Sequence, residues 1–102
     1  MHQYMKVKVE VTKEDLEKGI EDSNTCCPVA LALRRVLAPN TSGISVGGYK
    51  VNFNPGDPHI YGYLDVPSNL RMFITSFDSG YKDELATLPE SERSFVLTGW
   101  VV

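Results

Sequence analysis

Residues 26–37, CCPVALALRRVL, constrain the fold of this chain more than any other stretch. The ten residues from 28 to 37 carry no polar side chain except two adjacent arginines. A helix of this composition can be buried on most of its circumference. Proline lacks an N–H and suits the first helical position, so Cys27 is the predicted N-cap. We predict a central helix over residues 28–37, with the rest of the chain packed around it.

The chain length predicts a single globular domain over residues 1–102. At this size the chain can bury roughly two thirds of its unfolded surface, so a core needs neither a disulfide nor a metal. Apolar residues make up 42% of the chain, and no run approaches the roughly 20 residues of a membrane helix. The first residues lack the pattern of a secretory signal, which favours a cytoplasmic protein. A net charge of −3 argues against general attraction to nucleic acid.

The first third of the chain shows a strand followed by a short helix. Residues 4–11 alternate between apolar and charged side chains, which predicts a strand with one face in the core. Thr12 is the predicted N-cap of the next helix, with Asp15 as the acid of a capping box. Leu16 and Ile20 are predicted to be its buried pair, and Gly19 its end.

The middle of the chain and its last residues have strand periodicity. Residues 44–46 and 49–53 flank Gly47 and Gly48, which predicts a hairpin with a two-residue turn at positive φ. A proline–glycine turn follows within residues 54–58. Residues 59–66 and 94–102 are predicted strands, and Gly99 could provide a bulge in the last of them.

The clearest helical periodicity lies over residues 68–79. Its apolar side chains fall at i, i+3, i+4 and i+7 and are Leu70, Phe73, Ile74 and Phe77. Gly80 is the predicted helix end, and residues 81–92 are predicted to be an irregular connection with a helical turn after Pro89. Together these elements predict an α+β fold: a mainly antiparallel sheet of four or five strands with two principal helices on one face.

Two motifs of this chain resemble those of small uncharacterised bacteriophage and bacterial proteins. The first motif is the helix start Cys27-Pro28-Val29-Ala30-Leu31-Ala32-Leu33, and the second runs through Phe73-Ile74 to Phe77-Asp78-Ser79-Gly80. The resemblance covers about residues 19–80 and implies an origin in a phage or mobile element. It implies no functional residue.

One strand face carries the candidate ligand-binding residues. Alternation places His59, Tyr61 and Tyr63 on the same side of the predicted third strand, and Lys6 and Lys8 join them if the strands share a sheet. Aromatic rings beside lysines can stack a base and hold a phosphate. The simpler explanation is that tyrosines are common on exposed sheet faces because they tolerate both water and cross-strand packing.

The two cysteines are candidate reactive thiols because a helix N-terminus stabilises thiolate. The sequence places neither of the two histidines, His2 and His59, beside Cys26 or Cys27. The alternative is that both cysteines are small buried apolar residues. Adjacent cysteines lack the spacing of a zinc site, so the sequence predicts no metal and no cofactor.

The terminal strand carries the candidate interface. It ends in Trp100, Val101 and Val102 without a charged side chain after Arg93, so it is either a covered inner strand or half of a symmetric dimer interface. We expect the dimer, with Trp100 and Val102 in the contact.

The favoured function is that of a non-enzymatic binding protein. Small size, acidic charge and the lack of a recognisable catalytic motif suit a protein that sequesters or inhibits a host component, such as an antagonist of a defence system. The expected partner is a host protein or a small nucleotide. The alternatives are a nucleotide or nucleic-acid module using the face of Tyr61 and Tyr63, and a thiol-dependent enzyme.

Overall fold

A five-stranded antiparallel sheet forms the centre of the computed structural model, which describes residues 3–37, 39–57 and 59–102. The strand order is β1-β5-β4-β3-β2, so the last strand lies between the first and the fourth. With its helices this sheet confirms the predicted α+β fold. The strands are β1 (Gln3–Glu10), β2 (Ser42–Val46), β3 (Lys50–Asn54), β4 (Gly62–Asp65) and β5 (Ser94–Val101).

Four α-helices and one short 3₁₀ helix accompany the sheet in the described residues. The two longest are those that the sequence predicts, whereas the segment 81–92 is more helical than its pattern indicates. The helix in this segment has a single buried side chain, Leu85, and its other residues are mostly polar, so it shows no apolar periodicity in the sequence. The helices are α1 (Lys13–Lys18), α2 (Pro28–Val36), α3 (Ser68–Asp78) and α4 (Lys82–Ala86), and the 3₁₀ helix is Glu90–Arg93.

Burial alternates along the strands and separates the two faces of the sheet. On β5, for example, Phe95 and Leu97 are buried while Val96 is exposed. The strands pair in continuous register except for a shift between Ser42 and Ser45 of β2, and the buried residues of all five lie on one side, which we call the helix side. The core strand residues there are Val9, Ile44, Val46, Val51, Phe53, Leu64, Phe95 and Leu97.

The central helix α2 begins and packs as its sequence predicts. Cys27 is the N-cap and Pro28 the first helical residue, while the C-cap is Leu37, one residue after the helix ends at Val36. The helix contacts β1 and β2, the two edge strands, and therefore crosses the whole sheet. Ala32 and Leu33 on its inner side are fully buried.

Helix α3 supplies two of the four buried phenylalanines of the core. Leu70, Phe73 and Phe77 are buried, as the helical period predicts. The ring of Phe73 packs edge-on against Phe95 of β5, with centroids 5.3 Å apart. Gly80, at φ +91°, follows the helix in the left-handed conformation that glycine adopts most easily.

The capping box of α1 is present, and one prediction about this helix is wrong. The Thr12 hydroxyl accepts from the Asp15 amide at 3.1 Å, and the Asp15 carboxylate accepts from the Thr12 amide at 2.9 Å. Leu16 is buried, but Ile20 is 57% exposed. The helix ends at Lys18 with Gly19 as its cap, so Ile20 no longer follows the helical period that would carry it inward.

The predicted third strand over residues 59–66 is shorter in the structure, because β4 begins only at Gly62. His59 lies in a turn, where its amide donates to the Asp57 side chain at 2.9 Å. The prediction that His59 lies on this strand is therefore wrong. An aspartate side chain competes with the neighbouring strand for nearby backbone amides, which explains why residues 59–61 do not join β4. Pro58, part of the predicted turn, and His2 lie outside the described residues.

Two predictions about glycines are also wrong in detail. The hairpin exists, but Gly47 donates to the Lys50 carbonyl at 2.9 Å, so Gly48 and Tyr49 form its turn. Neither Gly47 nor Gly48 has a positive φ. Gly99 makes no bulge, since β5 pairs continuously with β1 and β4. A Cβ at Gly99 would collide with the backbone of β4, so glycine allows the two strands to approach closely.

None of the helices in the described residues has the length and apolar character needed to cross a membrane.

Candidate binding site on the open face of the sheet

The side of the sheet that faces away from the helices carries the candidate binding site. Its side chains are exposed or half-buried, in contrast to the buried residues of the helix side. We call this surface the open face. Its residues are Tyr4, Lys6, Lys8, Lys50, Asn52, Tyr63, Asp65, Val96, Thr98 and Trp100.

Three aromatic side chains form a continuous row across the open face. Trp100 of β5 pairs with Tyr4 of β1 on one side and with Tyr63 of β4 on the other. Directly paired side chains of neighbouring strands lie close enough to touch. The Tyr4 and Trp100 rings meet edge to face, with centroids 5.4 Å apart and planes at 73°. Tyr4 is 55% and Trp100 40% exposed, so this aromatic row presents ring surface to solvent.

Charged side chains form the neighbouring row. Register places Lys6, Thr98, Asp65 and Lys50 side by side across four strands. The Lys50 ammonium lies 2.7 Å from the Asp65 carboxylate and 4.2 Å from the centre of the Tyr63 ring. The hydrogen bond from Asp65 raises the pKa of Lys50 above its ordinary value. Asp65 thus neutralises Lys50 and helps to hold it over Tyr63.

Lys6 and Lys8 are the free positive charges of the open face. Both are exposed, and among the ion pairs of the described residues neither takes part in one. Lys6 lies in the row beside the aromatic row, and Lys8, opposite Val96, lies one row further. These two lysines place positive charge at the edge of the open face, and Glu10 follows them one row further along β1.

The structure brings most of the predicted ligand residues to one surface. Tyr63, Lys6 and Lys8 share the open face although β5 separates their strands. Tyr61 comes just before β4, where its carbonyl accepts from the Val102 amide at 2.9 Å. Tyr61 is 58% exposed, and it lies two residues before Tyr63, the spacing of side chains on the same face of a strand.

Two aromatic residues of this surface are absent from the predicted ligand set. Trp100 is predicted only as a dimer contact and Tyr4 not at all, yet both belong to the aromatic row. Their position follows from the register of β5 between β1 and β4. A sequence pattern shows which residues alternate within a strand, and it does not show which strands are neighbours.

The sequence left open whether the terminal strand is an inner strand of the sheet or an exposed edge at a dimer interface, and the structure shows an inner strand. Both of its edges are paired in the sheet, so its backbone is not available to a second chain. A dimer contact through Trp100 and Val102 would therefore use side chains, and it stays a prediction.

The two candidate thiols differ in their surroundings. Cys27 is 4% exposed, and its sulfur accepts from the Ala30 amide at 3.5 Å. Burial raises the pKa of Cys27 above its ordinary value, which keeps the thiol protonated and weakly nucleophilic. Cys26 is half-buried, and its amide donates to the Ser23 hydroxyl at 3.0 Å. This geometry favours capping of α2 as the role of Cys27.

The described residues hold no cluster of three or more histidine, cysteine, aspartate or glutamate side chains suited to a metal ion. No family model, curated protein or solved structure matches this chain. The resemblance to small phage proteins stays a prediction.

Proposed function

We propose that this protein is a non-enzymatic, phage- or mobile-element-encoded binding protein that sequesters or inhibits a host component in the cytoplasm. The observation that supports this is the aromatic row of Tyr4, Trp100 and Tyr63, exposed on a sheet face whose Lys6 and Lys8 form no ion pair within residues 3–37, 39–57 and 59–102. Exposed aromatic side chains grouped with cations are typical of binding surfaces.

The open face suits a partner protein with an apolar pocket and an acidic rim. Trp and Tyr are the residues that most often dominate binding energy, and they do so near the centre of a contact. Trp100 lies at the centre of the row, with a tyrosine on each side. Lys6 and Lys8 lie to one side of it, where charge mainly accelerates association and selects an acidic partner.

The dimensions of the open face set a limit on such a contact. Five strands spaced about 4.8 Å apart give a width of roughly 20 Å, and the rows from Tyr4 to Lys8 span about 13 Å. That footprint is well below the roughly 800 Å² per partner of a standard interface. Most of the affinity would therefore depend on the aromatic row, which makes the proposal sensitive to a single substitution.

The test compares three forms of the protein in capture from a bacterial host lysate, followed by mass spectrometry of both proteins and small molecules. The forms are the parent, Trp100→Ala, and Met72→Ala as the matched control. Met72 is a large apolar residue that is 70% exposed on α3, away from the open face.

A partner that binds the open face is retained by the parent and by Met72→Ala and is lost by Trp100→Ala. With the purified partner, Trp100→Ala should weaken the dissociation constant by at least about 30-fold, the effect of a residue worth about 2 kcal/mol. The double substitution Lys6→Glu and Lys8→Glu should slow association at low salt. A captured partner that binds Trp100→Ala as tightly as the parent would contradict the proposal, as would a lysate that yields no specific partner.

A second candidate function is binding of a nucleotide or single-stranded nucleic acid. The specific observation in its favour is that exposed rings lie beside free ammonium groups, the arrangement that stacks bases and tracks phosphates. Trp100 is the only tryptophan of the chain, so its fluorescence reports directly on this surface. Titration with a mixed-sequence oligonucleotide and with nucleoside triphosphates should quench this signal in a salt-dependent way. An unchanged signal at low salt would remove this candidate.

A further inference from the structure

A polar cleft on the helix side of the molecule carries an inference beyond the open face. It lies between the loop before α2, the β2–β3 hairpin and α3, and has a volume of about 270 Å³. Its lining includes Asp22, Cys27, Gly47, Arg71, Thr75 and Asp78. This volume is below that of most drug-sized pockets, so the cleft suits a small molecule.

The cleft has opposite charges at its two ends. Arg71, Thr75 and Asp78 follow each other at i, i+4 and i+7, so all three lie along one side of α3. At a rise of about 1.5 Å per residue, Arg71 and Asp78 are separated by about 10 Å along the helix axis. Neither forms an ion pair within the part of the chain that the structure describes. Both residues line the cleft, and they do not neutralise each other.

Both charged groups are held in place by contacts outside the cleft. The Arg71 guanidinium lies 4.8 Å from the centre of the Tyr49 ring, on which it stacks. One Asp78 oxygen accepts from the Asp22 amide at 3.0 Å, which ties the loop before α2 to the end of α3. This contact explains why an acid lies at the unfavourable end of a helix dipole. The second Asp78 oxygen accepts no hydrogen bond from the residues that the structure describes.

A second carboxylate strengthens the negative end. Asp22 lines the same cleft and has φ +57°, a left-handed conformation that is uncommon for residues other than glycine. Two carboxylates at one end and one guanidinium at the other match a molecule whose own ends carry opposite charges. Gly47 and the buried Cys27 also line the cleft, and neither adds a charge to it.

We infer that this cleft binds a small linear zwitterion of dipeptide size. The ammonium group of the ligand lies against Asp78 and Asp22, and its carboxylate forms a forked pair of hydrogen bonds with Arg71. Thr75, between the two charges on α3, lies beside the uncharged middle of the ligand. This site is separate from the open face and does not depend on the proposed function.

The test uses three named zwitterions, diglycine, 6-aminohexanoate and γ-aminobutyrate, with N-acetyldiglycine and diglycine amide as controls. Each control lacks one of the two charges. At least one zwitterion should bind saturably below about 10 mM and raise the melting temperature by a few degrees, because a ligand specific to the folded state stabilises it. Removal of either charge from diglycine, if it binds, should weaken binding by at least about tenfold.

The variants Arg71→Gln and Asp78→Asn locate the site. Asparagine retains an oxygen for the Asp22 amide, so Asp78→Asn should fold and melt like the parent without ligand. Each variant should weaken zwitterion binding by about tenfold, and Asp78→Asn, which keeps only the Asp22 carboxylate at that end, should distinguish a free from an acetylated amine less sharply than the parent does. Lys82→Gln, at the exposed start of α4, is the matched control and should bind like the parent. The inference is overturned if none of the three zwitterions binds, or if Arg71→Gln and Asp78→Asn leave binding unchanged.

Discussion

The ion pair of Asp15 and Arg35 gives the sharpest test of what holds the helices to the sheet. Asp15 is 4% exposed and accepts two hydrogen bonds from the Arg35 guanidinium, at 2.5 and 2.6 Å, besides the capping bond from Thr12. Arg35 also donates to the Glu10 carbonyl at 3.0 Å. The pair therefore connects α1, α2 and the end of β1.

The substitution Asp15→Asn replaces one accepting oxygen by a donor that faces Arg35. Loss of a partner from a fully buried pair costs about 3 to 5 kcal/mol, and a hydrogen bond to a charged group contributes about 1.5 to 3 kcal/mol. The Arg35 side chain is 47% exposed, so solvent recovers part of the loss. We expect a decrease in unfolding free energy of about 2 to 3 kcal/mol at neutral pH. That corresponds to about 10 °C or more in melting temperature for a domain of this size.

The effect of Asp15→Asn depends on pH in a defined direction. Burial alone would raise the pKa of Asp15, but the hydrogen bonds from Arg35 and Thr12 outweigh it and lower the pKa below the ordinary value of 3.8. A carboxyl whose pKa is lowered on folding contributes stability above its unfolded pKa, and this is lost as pH falls through the folded value. The difference between parent and variant should be constant from about pH 7 to about pH 5 and shrink below 3.8.

Urea unfolding of both proteins over this pH range measures the difference directly. The control is Glu14→Gln, which removes an exposed ion pair with Lys18 and should leave the melting temperature unchanged. A variant within about 0.5 kcal/mol of the parent at pH 7 would refute the reasoning. A difference that persists undiminished at the lowest pH at which both proteins fold would refute the assigned cause.

Three further predictions concern the core, the thiols and assembly. Phe73→Ala removes the ring that packs on Phe95 and should decrease the unfolding free energy by about 3 to 5 kcal/mol, whereas a melting temperature within a degree or two of the parent would contradict this packing. A neutral alkylating reagent should modify Cys27 only after unfolding and Cys26 no faster than a free cysteine, and rapid modification of either in the folded protein would restore the thiol-enzyme hypothesis. Sedimentation equilibrium at roughly tens of micromolar protein should show a dimer that Trp100→Ala dissociates and that a host partner displaces, since both contacts use Trp100, and a monomeric parent or an indifferent dimer would refute the expected contact.

Local sequence patterns were sufficient to predict those helices whose buried residues and capping residues lie close together in the sequence. The helical period of Leu70, Phe73 and Phe77, the N-cap at Cys27 and the capping box of Thr12 all appear where the sequence predicts them. In each case the signal lies within a few residues, so no knowledge of the tertiary structure is needed.

The features that the sequence did not predict depend on contacts between residues far apart in the chain. Arg93 is buried, and its guanidinium donates to the carbonyls of Val11 and Leu88. The periodicity of the sequence does not predict that this arginine is buried or which carbonyls it contacts. The cleft likewise depends on an amide of Asp22 meeting Asp78, 56 residues further along the chain. The aromatic row required the strand order, which hydrophobic alternation leaves open.

The central position of β5 has a consequence for synthesis of the chain. β1 has no other strand partner, and Gln3 pairs with Val101. At translation rates of about 5 to 20 residues per second, β1 therefore waits on the order of 5 to 20 s for its partner to be made. During that interval the apolar side chains of β1 are uncovered, and the only charges that interrupt them are those of Lys6, Lys8 and the terminal Glu10. Charged residues within a waiting strand suppress association with other nascent chains. Replacing both lysines by uncharged threonine should thus lower the yield of folded protein in the cell, whereas replacing both by glutamate keeps a charge at each position and should not.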